Sequence, residues 1–250
     1  VRKIAIANQK GGVGKTTTAV NLATGLARAG KRVLLIDLDP QGNATLAMLG
    51  AREIGATVYD VLMGKATLRA AIVAVRDRLD VLPSVIDLAG AEVELLQEVG
   101  GQMRLRTRLE SAGRLPYDFV LIDCPPSLGL LTINALAAAG EVLVTVAPGV
   151  FSLKGLVQLQ ATIEKVRANL GTKLEIAGVL LCLDDRTRVS GDVHAALVKK
   201  FGRAVFRVTI PKNVALEESH SRAKSIFDYA PRSSGAQAYG KLVKEVVRNG

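Results

Sequence analysis

Residues 10–17 read Lys10-Gly11-Gly12-Val13-Gly14-Lys15-Thr16-Thr17, between a short apolar run and an amphipathic segment of helical period. No other feature constrains the chain as tightly. Gly11, Gly12 and Gly14 permit positive φ and let successive backbone N–H groups converge on one point. A helix starting directly after them adds its N-terminal partial positive charge to that point. Such a loop cradles phosphate oxygens: Lys15 would neutralise the β/γ-phosphates and the Thr16 hydroxyl would ligate Mg²⁺. A Gly-rich turn with a surface lysine would not need strand, loop and helix in this order.

The rest of the pattern agrees. Apolar, β-branched runs predict strands at 3–7, 32–36, 79–82, 119–122, 142–146 and 176–181. Between them the spacing predicts helices at 16–29, near 87–99, at 130–139 and at 153–170, with a closing helix at 233–247. Residues 50–74 read as short surface helices. This alternation predicts an α/β fold: a doubly wound, mostly parallel β-sheet flanked by helices on both faces, in one P-loop NTPase domain spanning 1–250. Trp is absent and aromatics are 4%, so the core must be aliphatic, which suits a parallel sheet covered by helices.

Cys124 and Cys182 have neither metal-type spacing nor a disulfide framework, as expected of a reducing cytosol, and Cys124 reads as a small buried side chain. His194 and His220 lack a partner pattern and read as structural or surface residues. No apolar run reaches the ~18 residues of a membrane span. The chain opens on Val1, so an initiator Met ahead of it is expected, and no N-terminal operator-reading extension is expected before the loop. The net charge is +10, and from residue 186 onward thirteen Lys and Arg stand against five Asp and Glu. That asymmetry predicts a polyanionic partner.

Two strand ends deliver acids. Val33-Leu34-Leu35-Ile36-Asp37-Leu38-Asp39-Pro40-Gln41-Gly42 places two carboxylates where a parallel sheet opens its ligand crevice, and either could hold Mg²⁺ or orient a water. Asp37 reads equally as a loop-capping acid. Phe119-Val120-Leu121-Ile122-Asp123-Cys124-Pro125-Pro126-Ser127-Leu128-Gly129 brings Asp123 to a Pro-rich turn, as a Walker B aspartate is held against Mg²⁺.

The ordinary Walker A spacing asks for Gly at position 9, where this chain has Gln9, and does not ask for Lys10. The Lys-Gly-Gly-x-Gly-Lys-Thr form resembles the deviant Walker A motif of the ParA/MinD family of ATPases. The two acidic loops resemble that family's two switches, and similarity to its chromosomal ParA (Soj) branch covers nearly the whole chain. The resemblance implies ATP and Mg²⁺ as cofactors and an ATP-bound homodimer in which Lys10 reaches the partner's phosphates. It implies Lys10, Lys15 and Asp39 as catalytic residues, with Asp39 positioning the attacking water, and Thr16, Asp39 and Asp123 near the metal. Ile210-Pro211-Lys212-Asn213-Val214 resembles the segment beside the adenine, which makes Pro211 and Asn213 base contacts; Asn213 also reads as a helix N-cap.

Arg186, Arg188, Lys199, Lys200, Arg203, Arg222 and Lys224 look like the family's DNA-contacting surface, Arg188 standing where many relatives carry Asn. With few aromatics for stacking, phosphate contacts to double-stranded DNA with little sequence preference are expected. The resemblance thus implies a DNA-partitioning ATPase, cytoplasmic and nucleoid-associated, whose slow hydrolysis is stimulated by a ParB-type partner. A MinD-like membrane ATPase would need a C-terminal helix with an apolar insertion face. Residues 239–250 lack large insertion side chains, so no membrane is expected. An iron–sulfur relative would need a second cysteine ligand that the sequence does not supply.

Overall fold

The computed structural model describes residues 1–149 and 152–249. Among them one sheet contains β1 (Arg2–Ala7), β2 (Val33–Asp37), β3 (Val73–Arg76), β4 (Leu79–Leu82), β5 (Phe119–Asp123), β6 (Glu141–Val146) and β7 (Glu175–Leu181). Their order is β3-β4-β2-β5-β1-β6-β7. Every neighbouring pair is parallel except β3 with β4. β1 therefore leaves the sheet centre, and the chain crosses over β5 to reach β2. The carboxyl ends of β1, β2 and β5 open one crevice where the winding direction changes.

Successive side chains of a strand point to opposite faces, and both faces here are buried. Ala5, Ala7, Leu34, Ile36, Val120 and Ile122 join one core with the helices Val58–Met63, Leu88–Leu96, Arg104–Ser111, Leu130–Ala138 and Arg188–Phe201. Ile4, Ile6, Val33, Leu35, Phe119 and Leu121 join the other with the Lys15–Arg28 helix and the C-terminal Ser234–Arg248 helix. The latter two pack closely because Gly25 has no side chain: a Cβ there would lie 2.5 Å from Val243 Cγ2. Tyr239, Leu242, Val243 and Val246 of the closing helix are buried in this contact.

The predicted strands and the five predicted helices are present, with ends shifted by a few residues. The 87–99 helix stops at Leu96, and an unpredicted helix, Arg104–Ser111, follows. Two differences are larger. The short helices Val58–Met63 and Leu68–Ala71 are not surface features, because Val58, Val61, Leu62 and Leu68 are buried in the first core. Residues 73–76 form an antiparallel edge strand whose alternating, half-exposed pattern carries little apolar signal.

Candidate active site

The phosphate loop is fastened before it turns. Asn8, directly after β1, donates through Nδ2 to the Thr145 carbonyl of β6 at 2.5 Å, and its Oδ1 accepts from the Lys10 amide at 3.0 Å. Gly12 and Gly14 take φ of 69° and 82°, and a Cβ on Gly14 would meet Cys182 Cβ at 3.2 Å. The Lys15–Arg28 helix has no side-chain cap and no acid in its first turn, so its N-terminal N–H groups and dipole face the loop without local competition. Lys15 is buried, and its Nζ donates to the Lys10 carbonyl at 3.1 Å. Burial pushes its pKa down, against the opposing pull of Asp123, Cys124 and Asp39. The side chain of Lys10 itself is on an exposed residue.

Strand periodicity then places the acids. Asp37 and Asp123 are register partners on adjacent strands, and each follows the residues that face the phosphate-loop helix at an interval of two. Both are fully buried. Asp37 Oδ2 accepts from the Thr45 amide at 2.7 Å and the Thr45 hydroxyl at 2.8 Å, while Oδ1 accepts from the Asp39 amide at 3.2 Å. Asp37 therefore caps the loop that carries Asp39. Burial raises its pKa to about 6, its hydrogen bonds opposing the rise.

Asp123 differs. Neither of its carboxylate oxygens has a hydrogen-bond partner, and burial followed by repulsion from Asp37 raises its pKa well above the usual carboxylate range. The Thr16 hydroxyl lies close enough to oppose that rise, though outside hydrogen-bond geometry. Two orphaned buried oxygens are costly unless a cation or water meets them. Asp123 and Thr16 therefore fit Mg²⁺ as its protein-side neighbours. Among the described residues no group of three acid, His or Cys side chains forms a self-sufficient metal cage. Asp39, 7% exposed, stands at the edge of this pair, its Oδ1 accepting from the Gln41 amide at 3.0 Å.

Asn213, Gly14 and Thr17 line a cavity of about 80 Å³ with Glu217 and His220. Pro211 lines a separate cleft instead. Asn213 also caps its helix, Oδ1 accepting from the Ala215 amide at 2.8 Å. The seven basic residues proposed from sequence are all exposed and lie on several separate segments. Arg186 and Arg188 stand at one end of the Arg188–Phe201 helix and Lys199, Lys200 and Arg203 at the other, ~20 Å away at 1.5 Å per residue. Arg222 and Lys224 follow the Val214–Ser221 helix.

Asn8, Thr45 and Ser84 were not predicted for the site, and neither was a cleft of about 550 Å³ that gathers Arg186 with Arg207, Lys241, Lys244 and Arg248. Only Asn8 had a sequence signal, its place between strand and glycine loop. Ser84, after β4, donates through Oγ to the Asp39 carbonyl at 2.8 Å.

A glycine loop with a buried lysine, at the switch point of a parallel sheet and facing a pair of strand-end acids, defines a P-loop nucleotide-binding protein. Residues 1–176 match an AAA domain family model. The chain is 48% identical over 250 residues to sporulation initiation inhibitor protein Soj of Bacillus subtilis, covering 99% of this chain and 98% of that protein. It is 48% identical over 251 residues to chromosome partitioning protein ParA of Caulobacter vibrioides, covering 99% and 94%. A solved structure described as cobyrinic acid a,c-diamide synthase from Mycobacterium smegmatis, with bound ADP and magnesium, superposes with a TM-score of 0.85 at 36% identity, covering 99% and 94%. The chain belongs to the ParA/Soj family of chromosome-partitioning ATPases.

Proposed function

We propose that this protein is a DNA-partitioning ATPase: ATP drives a sandwich dimer, the dimer holds double-stranded DNA without sequence preference, and a ParB-type partner stimulates the hydrolysis that releases it. The observation that carries the reading is the division of labour between two lysines. Lys15 is buried in its own loop, while Lys10 is exposed beside it and available to a second subunit's nucleotide.

In this reading residues 10–17 bind the phosphates, Asp123 and Thr16 hold Mg²⁺, which neutralises phosphate charge when bound, and Asp39 orients the attacking water. Asn213 contacts the base. Exposed cations at the two ends of the Arg188–Phe201 helix, with those of the 550 Å³ cleft, supply phosphate contacts. Each subunit alone binds DNA weakly, with Kd of roughly 10⁻⁴–10⁻⁶ M at physiological salt. Pairing two such surfaces raises occupancy through effective concentration. Nucleotide state thereby controls DNA occupancy, which makes the protein nucleoid-associated while dimeric.

DNA binding with ATP, ADP and no nucleotide, across a salt series, tests the coupling. Binding confined to ATP and weakened by salt supports it. Equal binding in all three states overturns it.

A further inference from the structure

The segment that follows β4 touches both acidic loops. At one end, Ser84 is 2% exposed; its Oγ donates to the Asp39 carbonyl at 2.8 Å, and its amide donates to the Thr45 hydroxyl at 2.8 Å. That hydroxyl donates in turn to Asp37. Eight residues later, on the Leu88–Leu96 helix, Glu92 Oε1 accepts from the Leu131 amide at 3.2 Å. Leu131 lies in the first turn of the helix that ends the Asp123 loop.

The second contact is built rather than incidental. The Leu130–Ala138 helix starts at Gly129 with no side-chain cap of its own and no acid in its first turn, so Glu92 supplies the missing carboxylate from another element. Gly129 admits it: a Cβ there would stand 2.5 Å from Glu92 Oε1. The same helix holds the loop a second time, the Thr132 hydroxyl donating to the Ser127 carbonyl at 2.7 Å.

We propose that residues 84–92 form a strap that sets the Asp39 loop and the Asp123 loop relative to one another, with Ser84 and Glu92 as positioning residues for the hydrolytic step. Neither touches the phosphate loop. Ser84 holds the main chain of the water-orienting Asp39, and Glu92 holds the far end of the loop that Asp123 begins. The strap makes the two loops move together. Its role in hydrolysis rests on the ATPase reading above, whereas its hold on the loops does not.

Cys124, buried within the Asp123 loop, is a reporter, and buried Cys182 beside the phosphate-loop helix is its control. Peptide-resolved thiol modification by a small disulfide reagent is measured on the full chain and on Ser84→Ala, Glu92→Ala and Glu92→Gln. Loss of one hydrogen bond at a charged acceptor should accelerate modification of Cys124 roughly tenfold in Glu92→Ala. Cys182 should be unchanged, and Glu92→Gln, which keeps the acceptor oxygen, should restore most of the protection. Ser84→Ala should also accelerate Cys124, although Ser84 touches only the other loop.

In turnover assays both alanine variants should lose kcat roughly tenfold while KM for ATP stays within about twofold, because the phosphate loop is untouched. An unchanged Cys124 rate in Glu92→Ala, or an equal rise at Cys182, overturns the strap. So does acceleration by Glu92→Ala with none by Ser84→Ala. If the unmodified chain binds ATP without turning it over even with DNA and a ParB-type partner present, the ATPase reading fails while the thiol rates still decide the strap.

Discussion

The Nζ of Lys15 donates to the main-chain carbonyl of Lys10 at 3.1 Å, so one lysine of the loop is held by the backbone of the other. The contact fixes Lys15 inside the loop and makes no use of the Lys10 side chain. Two cations five residues apart thereby sit in different surroundings, Lys15 buried and Lys10 exposed.

Lys15→Ala removes the inward charge. Nucleotide binding should weaken by roughly 100-fold, the scale of one charge-assisted hydrogen bond in a shielded site. Calorimetric titration with ATP measures it, and circular dichroism should show an intact fold. Affinity within a few-fold of the unmodified chain would contradict the assignment.

Lys10→Ala should separate binding from assembly. Its nucleotide affinity as a monomer should be retained, while the ATP-dependent dimer should be lost in light scattering after size exclusion. A dimer that persists with ATP would place the outward lysine elsewhere.

Asp39→Ala should leave ATP binding and dimerisation in place and lower turnover by roughly 10²–10⁴-fold, the range for loss of a positioned general base or water-orienting group. Single-turnover phosphate release is the measurement. Asp37→Ala should behave differently, loosening the loop through loss of the Thr45 contacts.

Arg222→Glu tests the basic surface. Each phosphate contact contributes about one unit to the slope of log K against log salt, so the slope should fall by at least about one per subunit and affinity should drop for all sequences alike. An unchanged slope would move the surface away from the loop after the Val214–Ser221 helix.

Asp185 gives a pH-dependent test of the basic segment's scaffold. The Ser190 hydroxyl at 2.6 Å, then the Thr187 hydroxyl at 2.7 Å and its amide, hold its pKa down to about 2. A carboxylate depressed in the folded state contributes stability that is fully present above its ordinary value near ~4 and is lost as pH falls through about 2. Amide exchange at the start of the Arg188–Phe201 helix should therefore accelerate across that window. Ser190→Ala should move the carboxyl titration, followed by carbon NMR, upward toward the ordinary range.

What the sequence by itself determined is the local chemistry of contiguous residues. The glycine loop, its two lysines, the acid-ended strands and the β-α alternation are each written within a dozen positions, because phosphate cradling and strand periodicity act over short stretches of backbone. The tertiary structure decided what distant positions share. Asp37 was an open choice in sequence, and its hydrogen-bonded oxygens make it the loop cap, whereas Asp123, equally buried, has no hydrogen-bond partner of that kind. Thr45, Ser84 and Glu92 had no signal, since one hydrogen bond across 39 residues leaves no periodicity to read. The basic residues showed the same limit: charge is countable along a chain, but which cations share a cleft depends on how residues 184–186 and 207–211 come together with the closing helix.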